Sequence, residues 1–592
     1  MEQEECRRKI LSNDYADWVI DFPIAEFQQG IVGYPVFDYC YQTVNNDISI
    51  VSMNRGELGE SELFSVDYHY FPDLFGLEQE TEEGIRGVFN PQPLLASGIV
   101  GVQNPPLSLS ANGVILAFVD TGIRYENPIF RNPDGTTRIL AIWDQTIQEG
   151  EPPQGFLYGT EYTREMINEA LAFQTPQEIV PTTDEIGHGT RMAATAAGSM
   201  IEGGAGFLSP AYGADIVVVK LKQCKDYLRR YFLIPDDVPA YQSSDIMMAI
   251  KYLDSFAVAF SRPVVFCTGV GSNYRDHSGY GIFSRYLTSI AQKRSRIMML
   301  AGGNEGNAAH HFEKRLSLPD RNGETLENET DMEIRVDGEG MGFITQIWVM
   351  APALLSISIR TPGGERVPQT SVLVQGRLQY RFVYEKTVIT VYNALIEQGS
   401  GDAMILIRFE NPTSGIWTVT VTNDSGFPNT VFNAWLPITQ FLEVPVYFLR
   451  PEPDLTLTTP SYSEDAITVS TYDSSNNSFY VNSGRGFSRT SVIKPDFSSP
   501  GVNVSTVDRT LMGQPVVMQV TGSSMAVAIA AGAAAQFMQW AVIDENAPYI
   551  RSTELKNYFI RGAKREEGII YPSRLWGFGR MNLQGVFDAL VQ

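Results

Sequence analysis

The sequence predicts an α/β protein: a parallel sheet packed by helices, preceded by a small α+β unit and interrupted by an antiparallel β-sandwich. Three observations carry this. Residues 114–119 form an almost unbroken apolar run ending at Asp120, as in a parallel strand buried on both faces. Residues 190–198 and 525–535 are rich in small side chains and read as helices able to lie close against a sheet. From about 312 to 448, strand–helix alternation gives way to short alternating segments (332–336, 343–349, 355–360, 388–392, 417–422) separated by Gly, Pro and Asn turns.

Taken in order, residues 1–90 form the first unit. Within it, 10–22 reads as helical, and 48–53 and 63–71 read as strands by their β-branched and aromatic content. Residues 78–93 are acidic and carry Gly and Pro, the composition of an exposed linker. The parallel-sheet domain then runs over 91–311, the sandwich over 312–448, and the sheet domain resumes over 449–592.

Three segments place the residue types of a charge-relay hydrolase in one order: Val119-Asp120-Thr121-Gly122, Gly187-His188-Gly189-Thr190 and Gly522-Ser523-Ser524-Met525-Ala526. A serine hydroxyl needs a base to become a nucleophile. His188 can serve near neutral pH, and Asp120 would orient the imidazole and stabilise its charged form. Between them, Ala301-Gly302-Gly303-Asn304-Glu305-Gly306 offers Asn304, which with the Ser524 backbone N–H would bind an oxyanion. Loss of one such donor typically costs about 10²–10³ in turnover. His188 and Ser524 each open a small-residue helix, where the dipole favours negative charge. Ser523 is expected to face away. Singly, each motif reads as a turn, an N-cap or a strand end; their joint occurrence carries the argument.

The order Asp, His, Ser is that of subtilisin-type proteases, and with these four segments the chain resembles the subtilase superfamily. The resemblance implies a subtilisin-like parallel sheet with helices on both faces and a serine endopeptidase with Asp120, His188 and Ser524 as catalytic residues and Asn304 in the oxyanion hole. Residues 264–273 read as a strand ending in a glycine-containing edge, or as an ordinary strand-to-loop turn. Gly269, Val270 and Gly271 match the family segment that pairs with extended substrate. The first unit resembles the family's propeptide, a chaperone that inhibits its own protease; a plain N-terminal extension is the alternative. Self-cleavage between about Gly76 and Pro93 would follow. The insertion after Asn304, together with Trp143-Asp144-Gln145-Thr146, Tyr158-Gly159-Thr160-Glu161-Tyr162 and residues 70–77, resembles the clostridial spore-germination subtilases, the Csp proteases. That implies a jelly roll for the insertion and limited proteolysis of a zymogen such as a spore cortex-lytic enzyme. A pseudoprotease-like scaffold or signalling protein, and a housekeeping subtilase unrelated to spores, are the other readings.

The remaining expectations concern partners and compartment. With 44 basic and 68 acidic residues the net charge is −24, which argues against nucleic acid or an anionic membrane as partner. The partners expected are a protein or peptide substrate and the chain's own propeptide as bound inhibitor. No membrane span and no cofactor are expected. His310 and His311 read as an exposed loop pair without ligand spacing around them, so no metal is assigned. Cys6, Cys40, Cys224 and Cys267 read as reduced thiols, Cys267 as a small buried apolar residue. The first residues lack an apolar signal region, which reads as a cytoplasmic or spore-associated protein.

Overall fold

The computed structural model describes residues 2–30, 38–56, 68–78, 80–82, 86–199, 207–317, 327–374, 376–509 and 514–591. Its centre is a nine-stranded sheet. Ser478–Phe479, Ile467–Asp473, Arg296–Ala301, Val264–Thr268, Ile115–Asp120, Asp215–Lys220, Ile139–Asp144 and Thr160–Thr163 follow one another, and Phe497–Pro500 also pairs with Ile467–Asp473. Interior pairings are parallel; Ser478–Phe479 and Thr160–Thr163 join antiparallel.

The Ile115–Asp120 strand is buried throughout, and its twofold alternation serves two cores. Leu116 and Phe118 pack with the His188–Ala197 and Ser523–Met538 helices, whereas Ile115, Ala117 and Val119 pack with the Ser243–Ala259 and Ile282–Ala291 helices. An apolar run without polar alternation is therefore what this position requires. The Ser523–Met538 helix is buried along its whole length, and its small residues permit the approach. A Cβ on Gly532 would stand 2.6 Å from the Pro210 side chain and 2.9 Å from the Ala196 carbonyl oxygen. With its extension to Ile543 it is long and apolar enough to cross a membrane, yet 78% of its most apolar window is buried, as in a core helix.

The N-terminal unit departs from the sequence reading. The helix spans Glu2–Leu11, and Tyr15–Ile20 is a strand antiparallel to Ser49–Asn54, which also pairs with Tyr39–Thr43. Residues 10–22 are thus not one helix: Tyr15, Trp18, Val19 and Ile20 are aromatic or β-branched and are buried by sheet pairing. Of the strand expected at 63–71, residues 63–67 lie outside the described residues, and Tyr68–Tyr70 is a 3₁₀ turn. Tyr68 and Phe71 leave the sheet to pack with Trp18 and Tyr231. Cys6 and Cys40, expected as thiols, form a disulfide, because the first helix lies on the Tyr39–Thr43 strand with their Cα atoms 5.4 Å apart. Cys224 and Cys267 are free and buried.

The late strands form two antiparallel sheets face to face. One orders His311–Leu316, Thr430–Trp435, Gly342–Val349, Ala403–Glu410, Val388–Ala394 and Gly376–Arg381; the other orders Arg366–Ser371, Leu355–Arg360, Gly415–Asn423, Glu329–Val336 and Val446–Phe448. Phe343, Ile347 and Ile405 point into the core between the sheets. Ile344, Trp348 and Leu406, on alternate positions of the same strands, point outward into a second core. That core also takes Trp18, Tyr68 and Phe71 from the N-terminal unit and Tyr227, Tyr231 and Tyr274 from the sheet domain. His310 and His311, expected as an exposed pair, are both buried. His311 stacks on Trp435 with ring centroids 4.8 Å apart, and His310 Nδ1 lies 2.7 Å from Glu305 Oε2. Each finds a partner at the junction where the sandwich leaves the sheet domain.

Arg275 ties the three units together. Its guanidinium pairs with Asp73, donates to the Phe71 carbonyl oxygen at 2.7 Å, lies 4.0 Å from Glu397 in the sandwich and covers the Tyr68 ring at 4.4 Å. Burial works against its charge, and Asp73 and Glu397 more than offset that. Breaking a buried pair from one side leaves a desolvated charge and costs about 3–5 kcal/mol. Arg275→Ala is therefore expected to lower the thermal midpoint and to open the N-terminal unit to limited proteolysis, while Arg285→Ala, at a half-exposed ion pair with Asp21, changes little.

Candidate active site

The carboxyl end of the Ile115–Asp120 strand meets the amino ends of the His188–Ala197 and Ser523–Met538 helices. Gly187, with φ of +86°, lets the chain turn into the first helix. Asp184, which the sequence reading missed, fixes this corner. One of its oxygens accepts from Thr121 Oγ1 at 2.8 Å and Gly187 N–H at 2.7 Å; the other accepts from Thr190 N–H at 2.8 Å. His188 Nδ1 then lies 2.7 Å from Asp120 Oδ1. Asn304 Oδ1 accepts from Ser523 N–H at 3.0 Å, which ties the oxyanion loop to the serine turn. Asp120, His188, Asn304 and Ser524 are thus brought to one place from four separate segments.

The groove beside them holds the chain's own residues. Leu74–Leu77 is the middle strand of a three-stranded sheet, antiparallel to Tyr241–Gln242 on one side and Val270–Gly271 on the other. Leu77 pairs with Val270 and Gly76 with Gly271, and Glu78 N–H donates to the Gly269 carbonyl oxygen at 2.8 Å. Gly269, Val270 and Gly271 therefore form one edge of a groove occupied by extended chain. Tyr241–Gln242, the opposite edge, carried no sequence signal beyond its apolar neighbours.

Residues 78–93 are not uniformly the exposed linker expected. The Glu78 side chain is buried: its carboxyl group accepts from Thr458 Oγ1 at 2.6 Å and lies 3.4 Å from both Asn304 Nδ2 and Ser523 Oγ. Ser523 therefore faces this carboxyl group rather than away from it. Burial is the leading cause that lifts the Glu78 carboxyl to about 7; the Thr458 hydrogen bond opposes the rise and the Glu305 carboxylate adds to it. A Cβ on Gly271 would overlap the Glu78 carboxyl and stand 2.6 Å from Thr458 Oγ1, so the glycine makes room for this side chain.

Glu80 sits at the reacting groups. Ser524 Oγ donates to Glu80 Oε1 at 3.0 Å, and the same oxygen is 3.6 Å from His188 Nε2. Arg191, one turn into the His188 helix, holds the other Glu80 oxygen at 2.6 Å and is braced by Asp508 at 3.0 Å. Beyond it, Thr81–Glu82 pairs with Val520–Thr521 just before the serine turn. Burial opposes charge on His188, but Asp120 and Glu80 outweigh it and carry the imidazole up to about 9. Glu80 thus favours the charged form of the imidazole beside Ser524.

A sequence model of the peptidase S8 subtilase family matches residues 111–331 and 443–579. The chain belongs to the subtilase family. The unmatched stretch between those segments falls within the sandwich. Among solved structures, the CspB protease of Clostridium perfringens is 27% identical with a TM-score of 0.73, covering 85% of this chain and 98% of that one. Fervidolysin from Fervidobacterium pennivorans is 11% identical with a TM-score of 0.47, covering 97% and 61%. The epidermin leader peptide processing protease EpiP from Staphylococcus aureus is 10% identical with a TM-score of 0.43, covering 98% and 99%. No curated protein sequence matches the chain. Family and fold together make this subtilase a subtilisin-like serine endopeptidase.

Replacing Glu80 by Gln removes one of the two carboxylates that hold His188 charged. The His188 pKa is expected to fall clearly below about 9, read from the imidazole C–H resonances among only five histidines. The sign is fixed by linkage. With a raised folded pKa, the stability His188 lends is full below about 6.5 and is lost as pH rises through about 9, and Glu80→Gln narrows that window from above.

Proposed function

We propose that this subtilase hydrolyses peptide bonds through Asp120, His188 and Ser524, with Asn304 and the Ser524 N–H binding the oxyanion, and that its first substrate is its own chain. The observation that carries the reading is the occupied groove: residues 74–78 lie in extended pairing with Gly269–Gly271, and two residues further on Glu80 accepts from Ser524 Oγ. By that register Glu78 is the acyl-side residue, and the bond cut is Glu78–Gln79. Residues up to Glu78 would act as propeptide and then as bound inhibitor, since their contacts to the groove do not depend on the bond. The later reaction we assign, from the resemblance to the Csp proteases, is limited proteolysis of a zymogen such as a spore cortex-lytic enzyme, with a cytoplasmic or spore-associated site of action.

Mass spectrometry of protein purified from a protease-deficient host tests this. Wild type is expected as two co-eluting fragments with a new amino terminus at Gln79, and Ser524→Ala as one chain that a fluorophosphonate probe does not label. Loss of the nucleophile in such a set of groups lowers activity by about 10⁶ in the subtilisin example. Two fragments from Ser524→Ala would mean that another enzyme makes the cut.

The retained fragment should also respond to pH. The Glu78 carboxyl rises from an ordinary 4.5 to about 7 in the groove, so its proton favours binding. That contribution is full below about 4.5 and lost as pH rises through about 7. Affinity of the N-terminal fragment is expected to fall by roughly tenfold or more between pH 5.5 and 8. Native mass spectrometry across this range checks it, and Glu78→Gln should flatten the profile.

A further inference from the structure

The strand at Leu74–Leu77 is covered by a connection between two sandwich strands, Thr430–Trp435 and Val446–Phe448. The Thr439–Phe441 turn brings Gln440 over it, and Gln440 Nε2 donates to the Leu77 carbonyl oxygen at 2.6 Å. This oxygen belongs to the residue just before Glu78. The contact is made by the insertion, in a stretch that the family match leaves out. Part of the groove is therefore built by a segment foreign to the shared subtilase core.

The same turn stands against Gly76. Its φ lies outside the left-handed region, so the backbone there suits any residue and does not itself call for glycine. Space does. A Cβ at Gly76 would overlap the Gln440 amide and come within 2.7 Å of Ile438 Cδ1. Gln440 could swing aside, but only by giving up the Leu77 oxygen.

The turn itself is fixed. Thr439 N–H donates to Glu305 Oε1 at 3.1 Å, and Thr439 Oγ1 lies 3.3 Å from Glu305 Oε2. Glu305 adjoins Asn304 and is held from the far side by His310 at 2.7 Å. Ile438 and Phe441 are buried in the core shared by all three units, Phe441 stacked on Tyr274. The neighbouring positions of the strand are roomier and apolar: Phe75 is buried edge-on against Phe283 with ring centroids 5.0 Å apart, and Leu77 packs in the same cluster.

We propose that Gln440, carried by the inserted sandwich, is a specificity-determining residue that clamps the substrate backbone and restricts the third residue before the scissile bond to glycine. The substrates selected are then extended segments of aromatic, glycine, aliphatic and acidic residues in that order. The inference rests on reading residues 74–78 as bound substrate.

Four full-length proteins test it: wild type, Gly76→Ala, Gln440→Ala and the double variant, each followed by mass spectrometry for cleavage after Glu78. Gly76→Ala is expected to slow cleavage by at least about tenfold, as overpacking a fitted contact does. Gln440→Ala should slow cleavage of the Gly76 chain severalfold through loss of the Leu77 hydrogen bond. The double variant should cut faster than Gly76→Ala alone, so that the preference for Gly over Ala shrinks severalfold, the part set by Ile438 remaining. A general loss of structure would lower both rates together and leave that ratio unchanged.

The same choice is then put in trans, which removes any effect of residue 76 on folding. Quenched peptides carrying Phe-Gly-Leu-Glu or Phe-Ala-Leu-Glu are given to the wild-type and Gln440→Ala proteins after the retained N-terminal fragment has been released at pH 8. A kcat/KM ratio of at least about tenfold for wild type, falling severalfold for Gln440→Ala, supports the assignment. Equal ratios in the two proteins, or Gly76→Ala processing at the wild-type rate, overturn it while fluorophosphonate labelling of Ser524 leaves the peptidase reading standing. Absence of labelling in wild type freed of that fragment overturns both.

Discussion

Two short chain edges, Tyr241–Gln242 and Val270–Gly271, are joined into a sheet only by the strand between them. Backbone groups removed from water need partners, and a residue left unpaired there costs about 1–3 kcal/mol. Leu74–Leu77 satisfies both edges at once, and the rest of the arrangement follows from its position. It draws the N-terminal unit onto the sheet domain, sets Glu78 into the pocket floored by Thr458, and leads Glu80 to Ser524 and His188. Arg275 then fastens the approach to this strand by pairing with Asp73, one residue ahead of it.

The sandwich is part of this construction rather than a separate lobe. The central strands of its six-stranded sheet are apolar on both faces, because one face closes its own core and the other meets aromatic side chains from the sheet domain and the N-terminal unit. Trp435 shows the coupling in a single residue: it stacks on His277 of the sheet domain with centroids 3.9 Å apart and donates its indole N–H to the Leu455 carbonyl oxygen. In the connection between Thr430–Trp435 and Val446–Phe448, Thr439 bonds Glu305, the neighbour of Asn304. The loop that carries Asn304 is thereby held at one end by the serine turn and at the other by the sandwich.

What the sequence made legible was local. Asp120, His188 and Ser524 each sit in a motif whose glycines and small residues are needed within a few positions of the functional side chain, so pattern alone located them. The strand–helix alternation and the change to short strands near residue 312 were legible for the same reason. The rest depends on partners far along the chain. Glu78 and Glu80 look like linker charges until Thr458 and Arg191 are beside them, and Gln440 has no motif at all. Residues 10–22 were misread because an apolar, aromatic run can follow either period until its sheet partner at Ser49–Asn54 is known. His310 and His311 read as exposed because Trp435, Asn433 and Glu305, which bury them, lie elsewhere in sequence or across a turn.

The chain is gripped on both sides of residue 79. Upstream, Leu74–Glu78 is bonded to the two groove edges; downstream, Thr81–Glu82 is bonded to Val520–Thr521. A break between these grips would free no contact, only connectivity. The two new ends would face each other at the effective concentration of tethered partners, on the order of millimolar or above, rather than that of free peptides. How long the two ends stay within reach of each other is then set by how fast the upstream strand peels away from its neighbours. In the proposed self-cleavage, rejoining would remain possible until it does, and the hold of a four-residue strand would time the irreversible step.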